Sequence, residues 1–91
     1  VTDPQRRAAE AERLWQDEMM VEAREHIRAH IIDLWTNSPM DDVDGREKLR
    51  YLLHVHKLYD DFFKRAIADG KLAKLEAERK RLGLREILRA I

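Results

Sequence analysis

Apolar side chains recur at helical spacing along most of this chain. Ala8, Ala11, Trp15 and Met19 form one stripe, and Met20, Ala23, Ile27, Ile31 and Leu34 continue on a neighbouring one. No Gly or Pro falls inside the pattern once it has begun at Thr2-Asp3-Pro4-Gln5. There, either Asp3 caps with Pro4 at the first helical position, or Thr2 and Gln5 form a capping box. The spacing therefore predicts one helix running to about Trp35, roughly 45 Å at 1.5 Å per residue. Its Ala-rich, charged first two turns are expected to bury little, and so to fray or reach toward a partner. Ile32 and Trp35 leave the main stripe on the far side and suggest a second contact surface.

A second periodic stretch occupies residues 45–69. At ~100° per residue, its apolar positions from Leu49 to Ile67 spread over about 220° of the helix circumference, twice the stripe that a surface helix needs. One partner helix cannot cover that face. This helix is expected to be the most buried element, flanked on at least two sides by its own chain or by other subunits. Leu49, Leu52, Leu53, Tyr59, Phe62 and Phe63 are the predicted core, with Ile27, Ile31 and Leu34 opposite.

Residues 35–47 separate the two patterns. Pro39 lacks an amide donor and moves Ser38 out of the helical region. Asp44 precedes Glu47 by three residues, the offset of a capping box with Asp in the Ser/Thr position. Two long helices folded at a short acidic corner follow from this.

Beyond residue 69 the pattern thins. Gly70 either ends the second helix or is carried through it at a cost of about 1 kcal/mol. Leu84, Ile87, Leu88 and Ile91, after Gly83, fall at i, i+3, i+4 and i+7, with Arg85 and Arg89 on the polar side. A helix that short is unstable alone in water. It is expected to fold back on the hairpin or to dock elsewhere. The predicted fold is all-α: a long antiparallel helical hairpin over residues 1–70, then a basic amphipathic helical tail over 71–91, as part of the same domain or as a docking extension.

Charge changes this picture by its distribution. The 91 residues carry 18 Lys/Arg and 18 Asp/Glu, but residues 1–70 have a net charge of −4 and residues 71–91 a net charge of +4. An acidic body with a basic tail suits self-association between unlike ends, or a tail aimed at an acidic surface. Solvated helix faces give the same composition. There is no Cys, which excludes disulfides and thiolate metal sites. No apolar run approaches the ~20 residues of a membrane span, nor does a signal-peptide core stand out, and a soluble cytoplasmic chain is expected.

Candidate chemistry is sparse. His26 and His30 are spaced to share a metal ion, with His56 a conceivable third ligand, but Ile27 stands where a catalytic zinc helix carries Glu. Asp41, Asp42 and Asp44 fit helix-start carboxylates better than a calcium loop, because Leu52 occupies the position of the bidentate Glu. Ser38 lacks a nucleophile turn, and the three Gly are scattered, so neither catalysis nor a cofactor is expected. For nucleic acid, Lys71, Lys74, Arg79, Lys80, Arg81, Arg85 and Arg89 are candidate phosphate contacts. Three Glu interrupt them, and the tail has no aromatic for base stacking.

The run Trp35-x-Asn37-Ser38-Pro39-x-Asp41-Asp42-x-x-Gly45-Arg46-Glu47-Lys48-Leu49-Arg50, followed by a Leu-rich helix and Asp69-Gly70-Lys71-Leu72-Ala73, resembles a group of small phage-encoded proteins. These are all-helical products of genes beside those for virion structure and DNA packaging. The resemblance covers about residues 20–75. It implies a non-enzymatic structural or assembly role, in the host cytoplasm or the virion. The implied partners are further copies of the chain, a larger phage structural protein, or the DNA being packaged. The expected partner-binding residues come from the apolar pattern and not from the resemblance: Ile32 and Trp35 off the main stripe, and Leu84, Ile87, Leu88 and Ile91 on the amphipathic end.

Overall fold

A computed structural model describes residues 3–90. Within them the chain is all-helical, with α1 spanning Pro4–Gln16, α2 Glu18–Thr36 and α3 Val43–Ala90. Asp3 takes the capping role at the start of α1: its carboxylate accepts from the Gln5 amide at 3.1 Å, with Pro4 in the first turn. The alternative box through Thr2 lies outside the described residues.

The first predicted helix is two helices, broken at a single residue. Asp17 has ψ 126°, which ends α1, and its carboxylate then accepts from the Met20 amide at 3.0 Å to start α2. The break needs no Gly or Pro, because one short acidic side chain can satisfy a free donor of the next helix. It falls where the apolar stripe steps from Met19 to Met20.

α3 also departs from expectation. It begins two residues earlier than an Asp44–Glu47 box would place it. Asp42 is the capping residue, accepting through its side chain from Gly45 N and through its carbonyl from Arg46 N, each at 3.0 Å. A Cβ on Gly45 would overlap the Asp42 carboxylate, so the glycine leaves the cap its room. The helix then passes through both Gly70 and Gly83 without a break. Its 48 residues span about 72 Å at 1.5 Å each, nearly the 75 Å long axis of the molecule.

Contacts along the chain run in opposite senses: Trp35 with Arg46, Arg24 with His56, Trp15 with Phe63, and Ala8 against Gly70. α1 and α2 thus return along the first part of α3. The hairpin is partial, since α1 starts beside Ala73 and Glu76 and the last turns of α3 project past it. The tail does not fold back.

Packing departs from expectation in which side chains it buries. The closest approach is at the Ala-rich start of α1, which is helical and packed on α3 from Pro4 onward. Ala11 and Ala66 are buried, and a Cβ on Gly70 would overlap the Ala8 methyl and stand 3.1 Å from the Pro4 carbonyl oxygen. Small side chains let two backbones come together, so this seam excludes water with little side-chain volume. Among the larger side chains of the described residues, only Ile31 is buried. Leu49, Leu53, Phe63 and Ile67 are half-buried, while Leu52, Tyr59, Phe62, Ile27 and Leu34 are exposed. Residues 45–69 still hold the largest share of buried and half-buried positions, as expected, because both α1 and α2 pack on them. A single limb covers one stripe of α3 and leaves the rest of its broad apolar face open.

Candidate interaction surfaces

Two arginine–tryptophan pairs set the shape of the body. Arg24 lies over the Trp15 ring with its guanidinium carbon 3.7 Å from the centroid, and its Nη2 donates to the Trp15 carbonyl at 2.8 Å. That carbonyl belongs to the last turn of α1, where no intrahelical donor remains. One side chain of α2 therefore caps α1 and stacks on its terminal aromatic, bridging the break at Asp17. Phe63 of α3 meets the same indole at a 5.9 Å centroid distance. The second pair is Arg46 over Trp35, at 4.2 Å. Arg46 also donates to Ser38 Oγ at 3.0 Å, and Ser38 Oγ donates to the Trp35 carbonyl at 2.6 Å. The corner is a clamp, with Trp35 half-buried inside it.

Between these clamps, His56 crosses from α3 to α2. Its Nε2 lies 3.2 Å from the Arg24 carbonyl oxygen, and its Nδ1 lies 3.5 Å from Asp60 Oδ2. His56 is thereby engaged away from His26 and His30, whose rings stack 6.3 Å apart on α2. Among the described residues, no group of three His, Cys, Asp or Glu side chains converges as a metal site would require. The other oxygen of Asp60 is buried with no partner. On the outer side of α1, the Arg13 guanidinium hydrogen-bonds Glu10 and holds its carboxyl below the usual carboxylate range. Both groups are exposed, as in an ordinary surface ion pair.

The two long sides of the body differ in character. On one, Arg28, Lys57, Asp60, Asp61 and Lys64 surround a charged groove. On the other, Met20, Ala23, Ile27, Ile31, Leu52, Val55 and Tyr59 line an open apolar groove between α2 and α3.

The residues singled out for partner binding fall in two distant places. Ile32 and Trp35 lie together near the corner, beside Arg50 and Leu53. Leu84, Ile87 and Leu88 stand on the projecting end of α3, at 59–69% exposure, and Ile91 lies outside the described residues. The structure does not bring the two groups together. Lys71, Lys74, Arg79, Lys80, Arg81, Arg85 and Arg89 are all exposed along the same end. At ~100° per residue, Lys71, Lys74, Arg81, Arg85 and Arg89 share one side of the helix, with Glu78 in the same stripe.

Sequence reasoning missed the small-residue seam, the break at Asp17 and the bridging role of Arg24. The first two left a signal. Phe63, Gly70, Ala77 and Leu84 are seven residues apart, as are Ala66, Ala73, Lys80 and Ile87. The part of this repeat from Phe63 to Ala73 marks the stripe that α1 covers. The step in the apolar stripe at residues 19–20 marks the break. Nothing local in the sequence pairs Arg24 with Trp15.

No protein family, curated protein or solved structure matches this chain. No helix among the described residues is long and apolar enough to cross a membrane.

Proposed function

We propose that this chain is a non-enzymatic phage structural or assembly protein, acting through helix-mediated oligomerisation or docking on a larger virion protein. One observation carries the interaction reading. The chain buries only Ala11, Ile31 and Ala66 among its described hydrophobic residues, while large apolar side chains stand exposed from Met19 to Leu88. Apolar exposure on that scale is characteristic of a protein that works against another surface. The phage setting rests on the resemblance of the corner and the Leu-rich helix, and the hairpin is the body that would present the contact faces.

Mass in solution by light scattering tests the reading. Species above the 10.9 kDa monomer are expected at micromolar concentration. A monomer at every concentration would count against oligomerisation. For the projecting end, truncation at Gly83 is expected to weaken association or docking on a virion protein. If both persist unchanged, Leu84, Ile87 and Leu88 are not docking residues.

A second reading has the basic side of α3 in its favour. Five cations on one side of α3, three of them (Arg81, Arg85 and Arg89) on its projecting end, suit a phosphate backbone, and a DNA-packaging or regulatory factor would use them so. Its signature is DNA affinity that falls steeply with added salt. A gel shift with no binding even at low ionic strength removes it.

A further inference from the structure

Resting on the oligomerisation reading, we infer that the apolar groove between α2 and α3 is a self-complementary interface on which a second copy of this chain seats the same face. The choice of occupant follows from area, charge and side.

Ile27, Leu52, Val55 and Tyr59 in the groove, with Leu58 and Phe62 on the adjoining side of α3, are each 46–60% exposed. At roughly 100 Å² left open on each, they present on the order of 600 Å² before any rim is counted, close to the ~800 Å² that each partner contributes to a standard interface. On one side the tail offers Leu84, Ile87 and Leu88, about half that amount. Leu72, Leu75 and Leu82 are exposed as well but lie on another side of the helix at ~100° per residue, so no single tail face covers the groove. A second copy brings a face of equal size.

Charge agrees. The charged or basic side chains lining this groove are Arg24 and His56, and Arg7 lies over Phe62 at the edge of the face. Arg24 is turned onto Trp15, and His56 onto the Arg24 carbonyl and Asp60. The middle of the face therefore sets no like charges against each other when two copies meet, as the charge-poor core of an interface requires. The opposite side, with Arg28, Lys57, Asp60, Asp61 and Lys64, is charged and suits solvent. Pairing through a two-fold axis puts two α2–α3 layers together as a four-helix bundle, the usual way for helical hairpins to close a core. It also supplies the second flank that the 220° apolar arc of α3 requires.

The test compares Val55→Glu with Leu88→Glu in the full chain, by light scattering and circular dichroism. Val55→Glu is expected to halve the mass with helicity retained, while Leu88→Glu keeps the dimer mass. A wild-type dimer that survives Val55→Glu, or is lost with Leu88→Glu, overturns this interface and leaves oligomerisation standing. A wild-type monomer overturns both. If Val55→Glu loses helicity, single cysteines decide, because the chain has no native Cys. Val55→Cys is expected to give a disulfide-linked dimer under mild oxidation, and Lys57→Cys on the charged side is not. Equal cross-linking of the two, or none at Val55→Cys, overturns the proposal.

Discussion

Ala8 occupies the space in which a side chain on Gly70 would begin. This contact fixes how closely α1 lies on α3, and it predicts opposite outcomes for the two glycines inside α3. Gly70→Ala improves helix propensity yet must push α1 outward, so a net loss of about 1–3 kcal/mol is expected in urea unfolding. Gly83 has nothing within 4 Å of an added Cβ. Gly83→Ala should raise helicity by circular dichroism and stabilise the end of α3 by up to ~1 kcal/mol. Equal effects at both positions would mean that α1 does not lie where it is described.

Arg24→Met keeps much of the side-chain length but removes the donor to the Trp15 carbonyl and the charge over the ring. A loss of about 1–3 kcal/mol is expected from the two together, with a change in tryptophan fluorescence. Arg24→Lys should recover little of it, because an ammonium cannot stack and reach the carbonyl as the planar guanidinium does. Full recovery by lysine would reduce the interaction to charge alone.

At the break, Asp17→Ala removes the acceptor for Met20 N and lets the backbone continue as helix. About 1 kcal/mol of stability should be lost. Amide exchange should quicken in α1 more than at the corner, since straightening the limb lifts α1 off its seam. Uniform exchange along both helices would argue against that lever action.

Ser38→Ala cuts the link between Arg46 and the Trp35 carbonyl. A loss of about 1 kcal/mol in urea unfolding is expected, with Arg46→Ala costing more because it also removes the stacking over Trp35. If Ser38→Ala were neutral, Arg46 would be holding the corner through Trp35 alone.

The helical class and the acidic corner were legible because 3.6-residue periodicity, Pro39 and the capping carboxylates are local signals. Even so, the sequence points to Asp44 where the structure uses Asp42, since capping offsets recur wherever Asp residues cluster. Burial was harder. Leu52 and Phe62 look like core by hydrophobicity, whereas Ala8, Ala11 and Gly70 look like filler, yet the small residues meet and the large ones stand open. Which stripe is covered depends on where the return limb lies, a property of the pairing and not of either helix. Arg24 illustrates the same limit, because its roles are defined by a residue nine positions away across a break.

The order of contacts around the corner also bears on how the fold is assembled. Trp35 and Arg46 are brought together by closing a very short loop, Arg24 and His56 by a longer one, and Ala8 and Gly70 by the longest. Closure entropy rises with loop length, so the chain should zip outward from Ser38–Pro39, each turn shortening the loop left for the next. The tightest seam then forms last. In the native state α1 would be the first segment to open, and proteolytic nicking should begin near Asp17 while the corner remains closed.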